Sequence, residues 1–238
     1  MGTLIIEAPV AAPASRTGAA RLPLSIDSRV YDRADLRYPL TPTGILPMDI
    51  DDLLAYLPPD LQEHSRRVAI CSSIMAEYAM TRLNLSKTPE GMNFAAITHL
   101  GASCHDIGKL ASGAADHHEH PTLGAELLGK YEEALFESEA VAQMVIDTVL
   151  CHHERPDGYG FPQGLMASKV PLSAAICALA DWLDHRLYAN KSSHNDGASI
   201  LHEVEQGKGS LFFASAAECF RHTQPHIMKR YAKWKAHA

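Results

Sequence analysis

Apolar residues recur at helical spacing through most of the chain beyond residue 45. The clearest stripe lies in a helix predicted from about residue 60 to residue 83. Its members follow one another at steps of four or three residues: His64, Val68, Cys71, Met75 and Tyr78. Positions at these steps share one face of an α-helix. No stretch alternates apolar and polar positions as a strand does, so the pattern predicts an all-α fold.

The same periodicity, together with the prolines and glycines that end helices, predicts seven further helices. They run over residues 49–56, 94–105, 121–131, 137–152, 171–188, 198–206 and 210–235. Residues 1–45 contain five prolines and no sustained apolar period. We therefore expect an irregular N-terminal arm over 1–45, partly extended or disordered, and a helical domain over 46–238.

Composition excludes several classes of protein. The 238 residues include five widely spaced cysteines without a CxxC pair, so neither a disulfide framework nor a zinc knuckle is expected. The N-terminus lacks the features of a signal peptide, and no apolar run reaches the roughly 18 residues of a membrane span. A net charge of −7 argues against binding along a nucleic-acid duplex. We expect a cytoplasmic protein without a membrane span.

Fourteen histidines weakly favour a metal site. The adjacent His105 and Asp106 offer an imidazole and a carboxylate, which together suit a divalent metal of intermediate hardness. Taken alone, the pair also fits a capping aspartate beside a surface histidine. Further candidates lie at predicted helix ends or on apolar helix faces: His64, His120, His152, His153 and Asp181. Asp181 interrupts an apolar run, where a carboxylate is costly unless it is paired or coordinated.

Two basic side chains lie close to these candidates in the sequence. Lys109 follows Gly108, where the helix ends, and its ammonium can meet an anion. Arg155 lies in a loop with two glycines and two prolines between residues 154 and 162. This loop also fits an ordinary connection, but its stiffness, arginine and aromatic rings suit a planar, anionic ligand.

In chain order the candidates spell H, HD, H, HH, D, and this order resembles the HD-domain metal-dependent phosphohydrolases. More narrowly, the chain resembles the HD-GYP family over about residues 60–190. The matching motifs are His64-Ser65-Arg66-Arg67-Val68, His105-Asp106-Ile107-Gly108-Lys109, His120-Pro121-Thr122-Leu123-Gly124, His152-His153-Glu154-Arg155-Pro156-Asp157-Gly158-Tyr159-Gly160-Phe161-Pro162 and Ala180-Asp181-Trp182-Leu183-Asp184.

The resemblance implies an HD-domain helical bundle that hydrolyses the bacterial messenger cyclic di-GMP. It also implies two divalent ions, usually iron or manganese, and in some members a third. By position, the ligands of one ion are His64, His105, Asp106 and Asp181. Those of its neighbour are His120, His152, His153 and again Asp106, which therefore bridges. Asp60 occupies the place of the acid that holds the third ion.

Two metals about 3.5–4 Å apart turn a shared water into hydroxide at neutral pH and neutralise phosphate charge. The expected catalytic residues are thus Asp106 and Lys109, with Lys109 and Arg155 contacting the substrate phosphate. Lys191 lies where the family has an Arg-Pro-Tyr run that contacts the ligand, so it is a further substrate-binding candidate. Asp184, one turn beyond Asp181, is expected to orient a histidine.

Two alternatives stay open at this point. One is an HD hydrolase of another nucleotide. The other is a domain that binds cyclic di-GMP or a signalling protein without turnover. Its contact surface would be the Gly160-Phe161-Pro162 loop, where the family has Gly-Tyr-Pro. Hydrolysis predicts ring opening to a linear dinucleotide, whereas binding alone predicts affinity without product.

Overall fold

A computed structural model of the chain describes residues 49–83, 93–112, 118–189 and 196–236. The chain divides into two units, Met1–Leu46 and Pro47–Ala238, and every described residue belongs to the second. The predicted arm over residues 1–45 and the candidate Lys191 both lie outside the described residues.

Within these residues the structure contains ten α-helices and no strand, which confirms the all-α prediction. The helices are α1 (Ile50–Leu54), α2 (Pro59–Leu83), α3 (Phe94–Cys104), α4 (Lys109–Ser112), α5 (His120–Lys130), α6 (Glu132–Leu135), α7 (Glu139–Cys151), α8 (Leu172–Asp184), α9 (Gly197–Gly207) and α10 (Ala214–Ala236). A 3-10 helix, Ala167–Lys169, precedes α8, and a π-helix, His185–Ala189, follows it directly. None of the described helices combines the length and apolar character needed to cross a membrane.

The eight predicted helices all exist, but their ends differ from the predictions. The short helices α4 and α6 were not predicted, because four residues hold too few positions for a periodic pattern. The helix predicted to run to Tyr188 is α-helical only to Asp184 and continues as the π-helix. His120 is the first residue of α5, where the sequence predicted it just before the helix.

Helix α2 is central to the bundle and packs against α3, α8 and α10, while α7 packs against α3 and α5. The apolar stripe of α2 faces the core, and the side chains of Val68 and Met75 are 0% exposed to solvent. Gly101 of α3 faces the side chain of Thr148 on α7, and a Cβ atom at Gly101 would lie only 2.8 Å from the threonine Cβ. The absence of a side chain at Gly101 therefore lets α3 and α7 approach and end side by side.

The turn that follows α3 presses closely on the first turns of α5. A Cβ atom at Gly108 would collide with the carbonyl oxygen of His120 and would lie 2.5 Å from the backbone nitrogen of Gly124. Both obstacles are backbone atoms, which cannot rotate away. This contact brings the residues just before Gly108 next to the start of α5.

We expect Gly108→Ala to lower the free energy of unfolding by about 1–3 kcal/mol, because overpacking against backbone forces the two segments apart. Gly129→Ala is the matched control, because the nearest atom to its added Cβ is Ile146 Cδ1 at 4.0 Å. That variant should be unchanged or stabilised by up to about 1 kcal/mol, since alanine is the better helix former. Urea unfolding followed by circular dichroism measures both, and equal stability of the two variants would contradict the close contact.

Candidate metal centre

His105 and His152 are the cap residues that directly follow α3 and α7, and their rings make the same hydrogen bond. The Nδ1 atom of His105 lies 2.8 Å from the carbonyl oxygen of Ala102, and that of His152 lies 2.7 Å from the carbonyl oxygen of Val149. A carbonyl oxygen can only accept, so Nδ1 carries the proton and donates it. Each Nε2 atom therefore keeps its lone pair for a metal. The two ring centroids are 5.1 Å apart.

The first group of candidate ligands consists of His64 from α2, His105 and Asp181 from α8. The His64 Nε2, His105 Nε2 and Asp181 Oδ1 atoms all lie within 4.8 Å of one another. Each of these atoms is buried without a hydrogen-bond partner among the described residues. Buried polar atoms left unpaired are costly and rare in folded proteins. One divalent cation would satisfy all three atoms, so this group fits a metal ion.

The second group consists of His120, His152 and His153, whose ligand atoms also lie within 4.8 Å of one another. The Nε2 atoms of His120 and His152 are 3.2 Å apart. Burial lowers the pKa of His153 to about 3 and holds the pKa of His152 well below its ordinary value. Both rings are therefore neutral at physiological pH, the state in which imidazole binds a metal.

Asp106 lies between the two groups and presents one carboxylate oxygen to each. Its Oδ1 atom is 3.3 Å from His120 Nε2. Its Oδ2 atom is 3.4 Å from His105 Nε2, 3.8 Å from His64 Nε2 and 2.6 Å from the ammonium of Lys109. Although burial alone would raise it, the pKa of Asp106 is held well below its ordinary value by His105 and Lys109. Asp106 is thus ionised and oriented as a bridging carboxylate would be.

Asp184 lies behind His64 and accepts four hydrogen bonds. His64 Nδ1 donates to Oδ2 at 2.7 Å, and Tyr231 donates its hydroxyl to Oδ1 at 2.9 Å. Arg67 donates Nε to Oδ1 at 2.7 Å and Nη2 to Oδ2 at 2.9 Å. Burial alone would lower the pKa of His64, but Asp181 and Asp184 raise it to about 9. The Asp184 contact fixes the His64 ring with Nε2 turned toward Asp181.

Sequence reasoning missed both Arg67 and Tyr231. Arg67 lies three residues beyond His64 on the same helix face, and this spacing was a usable signal. Tyr231 lies 47 residues beyond Asp184, on α10. Nothing local to the sequence indicates that Tyr231 and Asp184 meet.

The loop after His153 folds back on that histidine. Glu154, which is 1% exposed, accepts hydrogen bonds from the backbone nitrogens of Gln163 at 2.7 Å and Leu165 at 2.8 Å. The Phe161 ring stacks on His153 with 4.6 Å between the ring centroids. The sequence motif that contains Glu154 does not indicate this role, because the partners of the carboxylate are backbone atoms of the loop itself.

The remaining predicted residues lie in different surroundings. Arg155 forms an ion pair with Asp157 of its own loop at 2.5 Å, which neutralises part of its charge. Asp60 is exposed in the first turn of α2, and neither of the two groups of candidate ligands described above includes it. His185 was not predicted, yet its Nε2 atom lies 3.3 Å from Asp181 Oδ1.

Comparison with known proteins gives a family match over residues 61–186, to the model described as "HD domain". A cyclic di-GMP phosphodiesterase of Thermotoga maritima is 26% identical over 203 residues, which cover 77% of this chain and 50% of the relative. A 3'3'-cGAMP-specific phosphodiesterase of Vibrio cholerae is 29% identical and covers 61% of this chain and 34% of the relative. A probable cyclic di-GMP phosphodiesterase of Vibrio cholerae is 32% identical over 139 residues, which cover 50% of this chain and 30% of the relative. The matched region is thus half or less of each relative.

We expect Glu154→Gln to loosen the loop over residues 155–165, because an amide has one acceptor oxygen and would turn its NH2 group toward a backbone N–H. The free energy of unfolding should fall by about 1–2 kcal/mol, and the amides of Gln163 and Leu165 should exchange hydrogen faster. Glu133→Gln, an exposed change on α6, is the control. Unchanged exchange at both amides would contradict the role of Glu154.

We expect Tyr231→Phe to lower the affinity of the chain for Mn²⁺ by about tenfold, because contacts behind a ligating histidine set its orientation. Only the hydroxyl that donates to Asp184 is lost, and the buried ring remains. Titration calorimetry measures the affinity, with the exposed change Tyr56→Phe as the control. Full affinity in Tyr231→Phe, with helix content retained, would show that the hydroxyl does not act on the metal centre.

Proposed function

We propose that this chain is a metal-dependent phosphodiesterase that opens cyclic di-GMP. It belongs to the HD domain family and, with its His-Asp and Gly-Phe-Pro motifs, to the HD-GYP branch. The observation that carries this proposal is the Asp106 carboxylate, which directs one oxygen to each of two groups of ligand atoms. Two relatives named as phosphodiesterases for cyclic di-GMP support the substrate class.

The chemistry of the ligand atoms supports iron or manganese. Five imidazoles favour transition metals such as iron, while the carboxylates of Asp106 and Asp181 also accept the harder Mn²⁺. When bound, two ions would supply Lewis acidity toward a phosphate oxygen and lower the pKa of water. We propose two ions, one at each group. A third ion, with Asp60 as a ligand, is a further part of the proposal.

Three basic residues are proposed to act on the substrate phosphates. The Lys109 ammonium is held 2.6 Å from Asp106 and is one third exposed, so it lies at the edge of the metal centre and can meet a phosphate oxygen. Its charge would stabilise the additional negative charge that develops during hydrolysis. Arg155 and Lys191 are proposed as further phosphate contacts, and Arg155 would share its guanidinium between Asp157 and the substrate.

The proposed reaction adds one water across one phosphodiester bond of the ring. One P–O bond breaks, the leaving oxygen takes a proton, and the product is the linear dinucleotide. A second hydrolysis would give two molecules of GMP. The substrate is a cytoplasmic messenger, so we propose a cytoplasmic location. The loop at Gly160, Phe161 and Pro162 is proposed as a contact for a signalling protein.

A second candidate substrate is 3'3'-cGAMP, because a relative that covers 61% of this chain is named as specific for it. The two cyclic dinucleotides have the same phosphodiester ring and differ in one base. Competition between them therefore tests how the bases are recognised, separately from the chemistry of the phosphate.

The test uses the full chain purified without oxygen and loaded with Fe²⁺ or Mn²⁺, and product formation is followed by chromatography. We expect ring opening of cyclic di-GMP in preference to 3'3'-cGAMP. Asp106→Asn should lose roughly 100-fold or more of the turnover rate, because the charge shared by the two groups is removed. Asp51→Asn, an exposed change on α1, should keep full activity.

Two outcomes would contradict the proposal. A metal-loaded chain that binds cyclic di-GMP but forms no product would be a binding domain. Turnover that survives in Asp106→Asn would place the chemistry elsewhere.

A further inference from the structure

We propose that His185 is an additional metal ligand, supplying its Nε2 atom to the ion bound by His64, His105 and Asp181. This inference rests on the metal centre proposed above and extends its ligand set by one imidazole. No motif of the sequence indicated this residue, which the fold brings to the outer side of Asp181.

The geometry around Asp181 Oδ1 carries the inference. Three imidazole Nε2 atoms approach this oxygen, from His64 at 3.1 Å, His185 at 3.3 Å and His105 at 3.9 Å. The oxygen is nevertheless buried without a hydrogen-bond partner among the described residues. The nitrogens are therefore close to the oxygen without being aligned to donate a proton to it.

Such distances are those expected between two ligands of one ion. Metal bonds of about 2.1 Å separate neighbouring ligand atoms by about 3.0–3.4 Å, depending on whether the geometry is octahedral or tetrahedral. The separations of His64 Nε2 and His185 Nε2 from Asp181 Oδ1 both fall in this range.

The position of His185 fits a ligand on the solvent side of the ion. It is the first residue of the π-helix that follows α8, four residues beyond Asp181, so both side chains point to the same side. Its side chain is 62% exposed, whereas those of His64 and Asp181 are 10% and 13% exposed. The centroid of its ring lies 4.9 Å from that of His64.

A further imidazole changes which metal the first group prefers. With His185 the group offers three nitrogen ligands beside its carboxylates, and nitrogen-rich sites favour iron, cobalt or zinc over Mg²⁺ and Mn²⁺. The residue is therefore expected to strengthen binding of the softer ions most.

The experiment titrates the metal-free full chain with Co²⁺, whose visible absorption reports the number and type of its ligands. Wild type, His185→Ala, His185→Gln and the control His202→Ala, an exposed histidine on α9, are compared by absorption and by equilibrium dialysis. Glutamine keeps an N–H group that can hydrogen-bond to Asp181 but removes the imidazole. Circular dichroism checks that the helix content of each variant is retained.

We expect both His185 variants to bind one Co²⁺ ion at least about tenfold more weakly, with an altered absorption spectrum, while His202→Ala matches wild type. Unchanged affinity and spectrum in His185→Ala would overturn the inference. Full recovery in His185→Gln would also overturn it, since hydrogen bonding to Asp181 would then suffice. A wild-type chain that binds no Co²⁺ would contradict both this inference and the proposed function. If wild type binds metal and turns over substrate while the His185 variants match it, only the inference about His185 fails.

Discussion

Negative charge buried inside a helical bundle is the constraint on which the rest of this structure depends. Three aspartates, Asp106, Asp181 and Asp184, lie within the core and stay ionised. Burying a carboxylate is costly unless a positive charge or hydrogen bonds compensate it. Asp184 has the guanidinium of Arg67 and Asp106 has the ammonium of Lys109. The ion pairs described for Asp181 involve only imidazoles. A bound cation would therefore offset the cost of burying a carboxylate most at Asp181.

The helices position these charges through their ends and their small residues. His105 and His152 both cap a helix and are held by a carbonyl of the last turn, which leaves the opposite ring nitrogen outward. Gly101 and Gly108 let neighbouring segments approach until the ring nitrogens are a few ångströms apart. The fold thus fixes the positions of these ring nitrogens, and a metal site needs ligands that are in place before the ion binds.

Helical periodicity and the order of the motifs were sufficient to predict the all-α bundle and to select most of the histidines and aspartates that the structure brings together. Periodicity places a residue on a helix face, and a motif shows which faces converge. Contacts that join distant segments could not be predicted, as Tyr231 and Asp184 illustrate. The interaction of Glu154 with loop backbone was also hidden, because such contacts depend on loop geometry. His185 was missed although it lies four residues beyond Asp181, a spacing that places two residues on the same face of a helix and was a usable signal.

The family match ends at residue 186, but the hydroxyl that donates to Asp184 comes from residue 231. Helix α10 also buries Phe220 and Ile227 in the same core as α2 and α8. The segment that the family model matches and the segment that packs into one core are therefore different in extent. A chimera that transplanted only residues 61–186 would carry the candidate ligands of both groups but would leave the carboxylate behind His64 short of one donor.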